Sequence, residues 1–131
     1  MMQAPKIIYL KKIQANNGDL FVIKDSDLTK FSIKRVFTVV ANKNSIRGKH
    51  AHKKCIQILN CPIGKIKIEC IDKHKKKKFF LLNNPKIALI VYPMTWCVQK
   101  YLLKKSLLVC LCNKKYSEND YIRSFKNFLK Y

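Results

Sequence analysis

The residues best suited to chemistry stand together in one run, Arg47-Gly48-Lys49-His50-Ala51-His52-Lys53-Lys54-Cys55-Ile56-Gln57. Histidine titrates nearest neutrality, so two of the chain's three histidines in so short a stretch point to proton transfer or metal ligation. Alternate side chains of a strand share a face, which sets the Cα atoms of His50 and His52 about 7 Å apart and turns both imidazoles toward one space. Two histidines are half a metal site, because zinc and non-haem iron take three or four protein ligands, often including a carboxylate. The run holds no carboxylate, so metal-free proton transfer is the reading, with no metal and no cofactor expected. Cys97, Cys110 or Cys112 could supply thiolates, the last two from one strand face, but packing explains them equally well.

Arginine is rare here, and a guanidinium grips phosphate oxygens with a fork that lysine lacks. Arg35 and Arg47 are therefore candidates for gripping the phosphate oxygens of an anionic ligand, Arg35 serving equally as a structural ion-pair partner. Gln57 can donate and accept, and so could orient a histidine or a ligand hydroxyl. Trp96, close to the turn at Pro93, either walls a pocket or fills the core.

These residues need a frame, and the pattern around them is one of short β-rich segments. Lys6–Leu10, Leu20–Ile23, Ile33–Val40, His50–Leu59, Lys65–Ile71, Phe79–Leu82, Ile87–Val91 and Leu107–Cys112 are apolar and rich in β-branched residues. Turn residues separate them: Asn16-Asn17-Gly18, Cys61-Pro62-Ile63-Gly64, Asn83-Asn84-Pro85 and Tyr92-Pro93. The spacing predicts an all-β sandwich or barrel. Only the end reads as helical, with Ser117-Glu118-Asn119-Asp120 as a cap and Tyr121, Ile122, Phe125, Phe128 and Leu129 as one apolar stripe.

At 131 residues and 48% hydrophobic content the chain suits one domain, 1–131, with its own core. It is too apolar for a disordered basic tail. No apolar run reaches the roughly 20 residues of a membrane span, and the start lacks the layout of a signal peptide, so a cytoplasmic protein with reduced cysteines is expected. The net charge of +21 would suit nucleic acid, but all except three of the 28 basic residues are lysine and they are spread along the chain. Lys73–Lys78 reads as a solvated hairpin tip carrying an inert His74, and nucleic acid is not the expected partner. The positive field still favours anionic ligands, nucleotide sugars included.

The spacing His50-x-His52-x4-Gln57-x6-Gly64 resembles the first motif of the cupin barrels, whose usual glutamate is here Gln57. The second cupin motif corresponds to Pro93-Met94-Thr95-Trp96-Cys97-Val98 and contains no histidine. The whole chain is similar to the small cupins that act as dTDP-4-keto-6-deoxyglucose 3,4-ketoisomerases. The resemblance rests on Phe31-Ser32-Ile33-Lys34-Arg35-Val36-Phe37, on Arg47 to Lys54, on Gln57, on Pro93 with Trp96, on Tyr116 and on the closing Asp120-Tyr121-Ile122-Arg123.

The resemblance implies a cupin jelly roll with a short C-terminal helix, a dTDP-linked 4-keto-6-deoxy sugar as substrate and a role in cell-surface polysaccharide synthesis. It implies a homodimer with exchanged N-terminal strands, and His50 and His52 as the acid and base of an enediolate path. Where relatives carry a tyrosine this chain has Thr38; Cys97 and Asn17 also depart from the family's usual residues. The competing readings are a non-catalytic basic cupin that holds a nucleotide sugar or nucleic acid, and a metal-dependent cupin enzyme.

Overall fold

The computed structural model describes residues 3–24 and 31–131. Its strands are β1 (Lys6–Tyr9), β2 (Lys11–Ala15), β3 (Gly18–Val22), β4 (Arg35–Ala41), β5 (Ile46–His52), β6 (Gln57–Ile63), β7 (Ile66–Ile71), β8 (Lys77–Leu82), β9 (Ile87–Val91), β10 (Trp96–Tyr101), β11 (Ser106–Cys112) and β12 (Tyr121–Ile122). A back sheet runs β1-β9-β6-β11-β4 and a front sheet β12-β5-β10-β7-β8, with every pairing antiparallel. The two sheets enclose one core in the jelly-roll manner of cupins: Leu59, Cys61, Leu89, Leu108 and Cys110 from the back meet Ile66, Ile68, Cys70, Cys97 and Tyr101 from the front.

The predicted segment His50–Leu59 is two strands in different sheets. The chain crosses between them at residues 53–56. Asp120 accepts hydrogen bonds from the Lys54 and Cys55 amides (2.7 and 3.3 Å), and Asn113 Oδ1 accepts from the Ile56 amide (2.7 Å), so the bend leaves these donors satisfied. Three strands were not anticipated, β2, β10 and β12. β2 is exposed along its whole length and has no burial pattern to read, while β10 hides Gln99 among its inward residues and breaks the apolar alternation.

The expected helix from Ser117 is also different. Glu118–Asp120 is a short 3-10 turn, and Tyr121–Ile122 pairs with β5 (Tyr121↔His52, Ile122↔Ala51). The helix α1 is one turn, Phe125–Phe128, with Ser124 Oγ accepting from the Asn127 amide at 3.2 Å. Strand pairing on the free side of β5 overrides the three- and four-residue periodicity there. The apolar stripe nevertheless packs: Ile122 and Phe128 join Ala51, Ile71 and Trp96 on the outer face of the front sheet.

Of the predicted tip Lys73–Lys78, residues 73–76 form the β7–β8 turn while Lys77 and Lys78 begin β8; Asp72 Oδ1 accepts from the His74 and Lys76 amides (2.8 and 2.9 Å) and His74 is exposed. No helix among the described residues is long and apolar enough to cross a membrane.

Candidate active site

The site is built on β5, and a bulge aims it. Cys97 faces His50 across the ladder and Gln99 faces Arg47, so β5 spends one more residue than β10 over this interval. Gly48 and Lys49 absorb the extra residue at φ 83° and 59°. A Cβ on Gly48 would stand 2.9 Å from the Cys97 carbonyl oxygen, so only glycine fits that close approach. The bulge restores inward facing to Arg47, which simple alternation would have turned away from the histidines.

His50 and His52 meet edge to face, ring centroids 5.0 Å apart. His52 is 5% exposed and its Nδ1 lies 2.8 Å from Asp120 Oδ2. That contact fixes the tautomer: Nδ1–H donates to the carboxylate, and Nε2 is left with its lone pair. His52 Nε2 and His50 Nδ1 are buried and have no hydrogen-bond partner among the described residues. Burial, helped by the neighbouring His52, lowers His50 to about 4. Burial also lowers His52, against the pull of Asp120 toward the charged form. Both rings are therefore neutral near pH 7, each with one buried ring nitrogen free of a hydrogen-bond partner among the described residues.

Tyr121 closes the group, its ring 5.0 Å from that of His50 and 4.3 Å from that of His52. Arg35 Nη2 donates to the Tyr121 hydroxyl at 3.3 Å and to Cys112 Sγ at 3.5 Å, while its guanidinium lies between the rings of Phe37 and Tyr116. Burial works against the Arg35 charge, but the contacts to Tyr121 and Cys112 more than offset it and its pKa is raised. Arg123 stacks on Tyr121 from outside, 4.2 Å from the centroid, and is held by Glu118 at 2.7 Å.

The structure therefore brings His50, His52, Arg35 and Gln57 to one neighbourhood, with Gln57 donating to Cys112 Sγ at 3.5 Å rather than to a histidine. Arg47 lies on the same inward face of β5, opposite Gln99, and is exposed. Trp96 is elsewhere. It is 6% exposed on the outer face of β10, packed on Phe125 and Phe128 at 5.3 and 5.9 Å, because strand alternation turns it away from Cys97 and the histidines. Trp96 thus packs in the small core under α1 and does not face the histidines.

Thr38 is exposed on the outer face of β4, one step out of phase with Arg35, so the phenol in the site is that of Tyr121. Sequence reasoning missed the roles of Asp120 and Tyr121, which it placed in a helix. The only available signal was their presence in the closing Asp120-Tyr121-Ile122-Arg123 signature.

His52, Cys55 and Asp120 bring ligand atoms within 4.8 Å of one another. Their ligand atoms are engaged already: Asp120 by His52 and two backbone amides, and Cys55 Sγ by Cys112, with the Ile56 carbonyl 3.4 Å away as the alternative acceptor for its one proton. The hydrogen bond to Cys112, reinforced by burial, raises the Cys55 thiol and keeps it protonated. The group has the character of an oriented imidazole more than of a ligand set.

An imidazole pair backed by a carboxylate, inside a two-sheet jelly roll, defines a cupin equipped for acid–base chemistry. Residues 3–131 match the family model described as FdtA: WxcM-like, C-terminal, and the chain belongs to that family. It is 35% identical over 127 residues to the TDP-4-oxo-6-deoxy-alpha-D-glucose-3,4-oxoisomerase of Aneurinibacillus thermoaerophilus, covering 96% of this chain and 91% of that protein. The sugar 3,4-ketoisomerase QdtA of Thermoanaerobacterium thermosaccharolyticum, solved with TDP, superposes with a TM-score of 0.91 at 31% identity, over 99% of this chain and 95% of that one. The TDP-quinovose 3,4-ketoisomerase WlaRB of Campylobacter jejuni gives a TM-score of 0.91 at 30% identity, over 99% and 100%.

Proposed function

We propose that this chain is a sugar-nucleotide 3,4-ketoisomerase, moving the carbonyl of a TDP-linked 4-keto-6-deoxyglucose from C4 to C3. The proton on C3, α to the carbonyl, passes to a neutral imidazole while O4 gains a proton. The enediol then loses the proton of its C3 hydroxyl and takes one at C4, which leaves a C3 carbonyl and a C4 hydroxyl. Protons balance at each stage, and the oxidation at C3 is matched by the reduction at C4, so the chemistry calls for no external oxidant or reductant.

The observation that carries this reading is the pair of neutral rings whose free nitrogens, His50 Nδ1 and His52 Nε2, are buried and unpartnered. Neutral imidazole suits general-base work, and a base that receives a proton needs a partner to deliver one. Asp120 steadies His52 through both protonation states. Tyr121 O–H and the Arg35 guanidinium supply donors for developing negative charge on the sugar oxygens. Arg47 is assigned to the diphosphate, and Gln57 to holding the Arg35–Cys112 wall. The capture of TDP-4-keto-6-deoxyglucose by a histidine-to-asparagine variant of QdtA supports the assignment of such residues to the chemistry.

The expected assembly is a homodimer that exchanges N-terminal segments. Among the described residues β2 and β3 ladder only with each other, and they expose Ile13 and Leu20. A lone hairpin is marginal in water, so this arm calls for a partner. β4 also leaves one edge of the back sheet open beside exposed Val36 and Val40. The protein is placed in the cytoplasm, as one domain, supplying a 3-keto sugar for cell-surface polysaccharides.

Proton NMR of TDP-4-keto-6-deoxyglucose with the protein in deuterated water tests the reading. Loss of the C3 proton signal with appearance of the 3-keto sugar is expected, and the coupling pattern at C4 reports the epimer. TDP binding without exchange would make the chain a binding module instead. Single His50→Asn and His52→Asn variants divide the labour: the one that abolishes C3 exchange removes the carbon base, and the one that exchanges without product removes the partner at oxygen.

A further inference from the structure

Cys112 is enclosed by hydrogen-bond donors. Arg35 Nη2 and Gln57 Nε2 each point at its Sγ from 3.5 Å, and Cys110 Sγ lies 3.9 Å away. The residue is fully buried at the inner end of β11, where Arg35 of β4 and Gln57 of β6 are its ladder neighbours on either side. Arg35 has no carboxylate within ion-pair distance among the described residues. A partly buried guanidinium calls for an anion, and the sulfur of Cys112 is the acceptor the structure offers it.

We propose that Cys112 stands as a thiolate, the counter-ion of Arg35, and that this pair is a positioning element that holds Tyr121 against His50 and His52. The reading rests on the ketoisomerase assignment only for its catalytic consequence; the charge state of the sulfur is a separate matter.

The surroundings are consistent from every side. Hydrogen bonds from Cys110 and Cys55, then from Gln57 and Arg35, hold Cys112 well below the thiol range despite the cost of burial. Burial pushes Cys110 up, and the bond to Cys112 does the same for Cys55, so of the three neighbouring sulfurs only Cys112 carries the charge. Arg35 and Gln57 both address Cys112 and neither addresses Cys55 or Cys110, which locates the shared anion. The remaining charged or titratable neighbours are His52 and Asp120 on β5 and the turn before β12, Tyr116, whose ring faces the Arg35 guanidinium, and Tyr121, which Arg35 reaches with the same Nη2. The negative sulfur raises His52, keeping its proton affinity nearer the working range of a base.

The test is the far-ultraviolet thiolate absorption of the intact protein, read as a difference between the wild type and Cys112→Ser. One thiolate equivalent is expected at neutral pH in the wild type and in Cys61→Ser, whose own thiol burial pushes up to about 11, and none in Cys112→Ser. Turnover of Cys112→Ser should fall on the order of tenfold in kcat with KM little changed, the usual scale for a group acting through its neighbour. The acid limb of kcat/KM should move to lower pH, because removing the anion lowers His52; Cys112→Asp, which restores an anion, should move it back.

Identical spectra for wild type and Cys112→Ser at neutral pH would overturn the proposal, whatever the turnover. Should Cys112→Ser fail to fold, titration of the wild type alone decides: absorption that appears only above the ordinary thiol pKa overturns it, and absorption already present at pH 7 and lost only in acid supports it. Failure of the wild type to turn over ketosugar would instead remove the functional reading and leave the thiolate standing.

Discussion

The two sheets share a core but treat their outer faces differently. Beyond its core face, the front sheet buries Ala51, Ile71 and Trp96 under Ile122 and Phe128, so β5 is clamped on both sides at the level of its histidines. The back sheet covers part of its outer face with Leu10 and Phe31, which pack on Ile58, Ala88, Ile90 and Leu111. It leaves Val36 (56% exposed), Val40 (66%) and Ile63 (64%) open. The two histidines sit where the front sheet is clamped; that sheet exposes Ile46, Phe79 and Leu81 away from the clamp, and the back sheet sends Arg35 and Gln57 toward the histidines while leaving its own outer apolar residues open. Positioning two imidazoles demands rigid support, and an open apolar sheet face demands a partner.

Removing the front sheet's two imidazoles should have the largest effect. His50→Asn and His52→Asn are each expected to lower kcat by about 10²–10⁴ while leaving the thermal transition near that of the wild type, as read by NMR turnover and circular dichroism. Wild-type rates in both variants would separate the clamped face from catalysis altogether.

Next in size is the clamp. Trp96→Ala should cost about 3–5 kcal/mol by denaturant unfolding, since a large buried ring leaves a cavity between sheet and helix. Trp96→Phe should cost far less and keep TDP affinity unchanged, because Trp96 faces α1 rather than the histidines. A large loss of TDP binding in Trp96→Phe would return this residue to the pocket.

How far the comparison could be read from sequence depends on which kind of interaction made it. The shared facing of His50 and His52 follows from two-residue alternation, and the structure agrees. The inward facing of Arg47 does not, because a bulge at Gly48-Lys49 resets the alternation and nothing in the residue types alone announces it. Trp96 and Cys97 likewise take their faces from the register of β10, a strand whose buried Gln99 disguises it. Asp120 and Tyr121 lie 68 and more residues beyond His52 in sequence, so only the folded chain shows that a carboxylate and a phenol complete the site. Local periodicity there favoured a helix, and the unpaired side of β5 won.

Acid should act on the clamped sheet before the open one. The unfolded chain takes up a proton at His50 near the ordinary histidine value of 6.5, whereas the folded chain does so at about 4. Between those values the unfolded state binds more protons, so stability rises with pH through the window and is lost as pH falls through it. His52 shifts in the same direction. The melting temperature should therefore drop between pH 7 and pH 4.5, with a shallower slope in His50→Asn; an unchanged slope would mean that the ring is not held neutral by burial.

The smallest effect belongs to the β7–β8 tip, which sharpens the comparison by showing that not every part of the front sheet matters to the site. The tip lies three strands across from β5, about 14 Å by strand spacing. Its geometry is local: Asp72 Oδ1 binds the His74 and Lys76 amides, and Lys75 adopts φ 65°, where a side chain crowds its own backbone. Lys75→Gly relieves that crowding and removes one of several like charges, against a gain in unfolded-state freedom. Stability should change by no more than about 0.5 kcal/mol, whereas Asp72→Ala should cost about 1 kcal/mol by freeing two backbone donors. Neither should alter kcat, because no contact links the tip to His50 or His52; a change in kcat from Lys75→Gly would extend the catalytic neighbourhood across the whole front sheet.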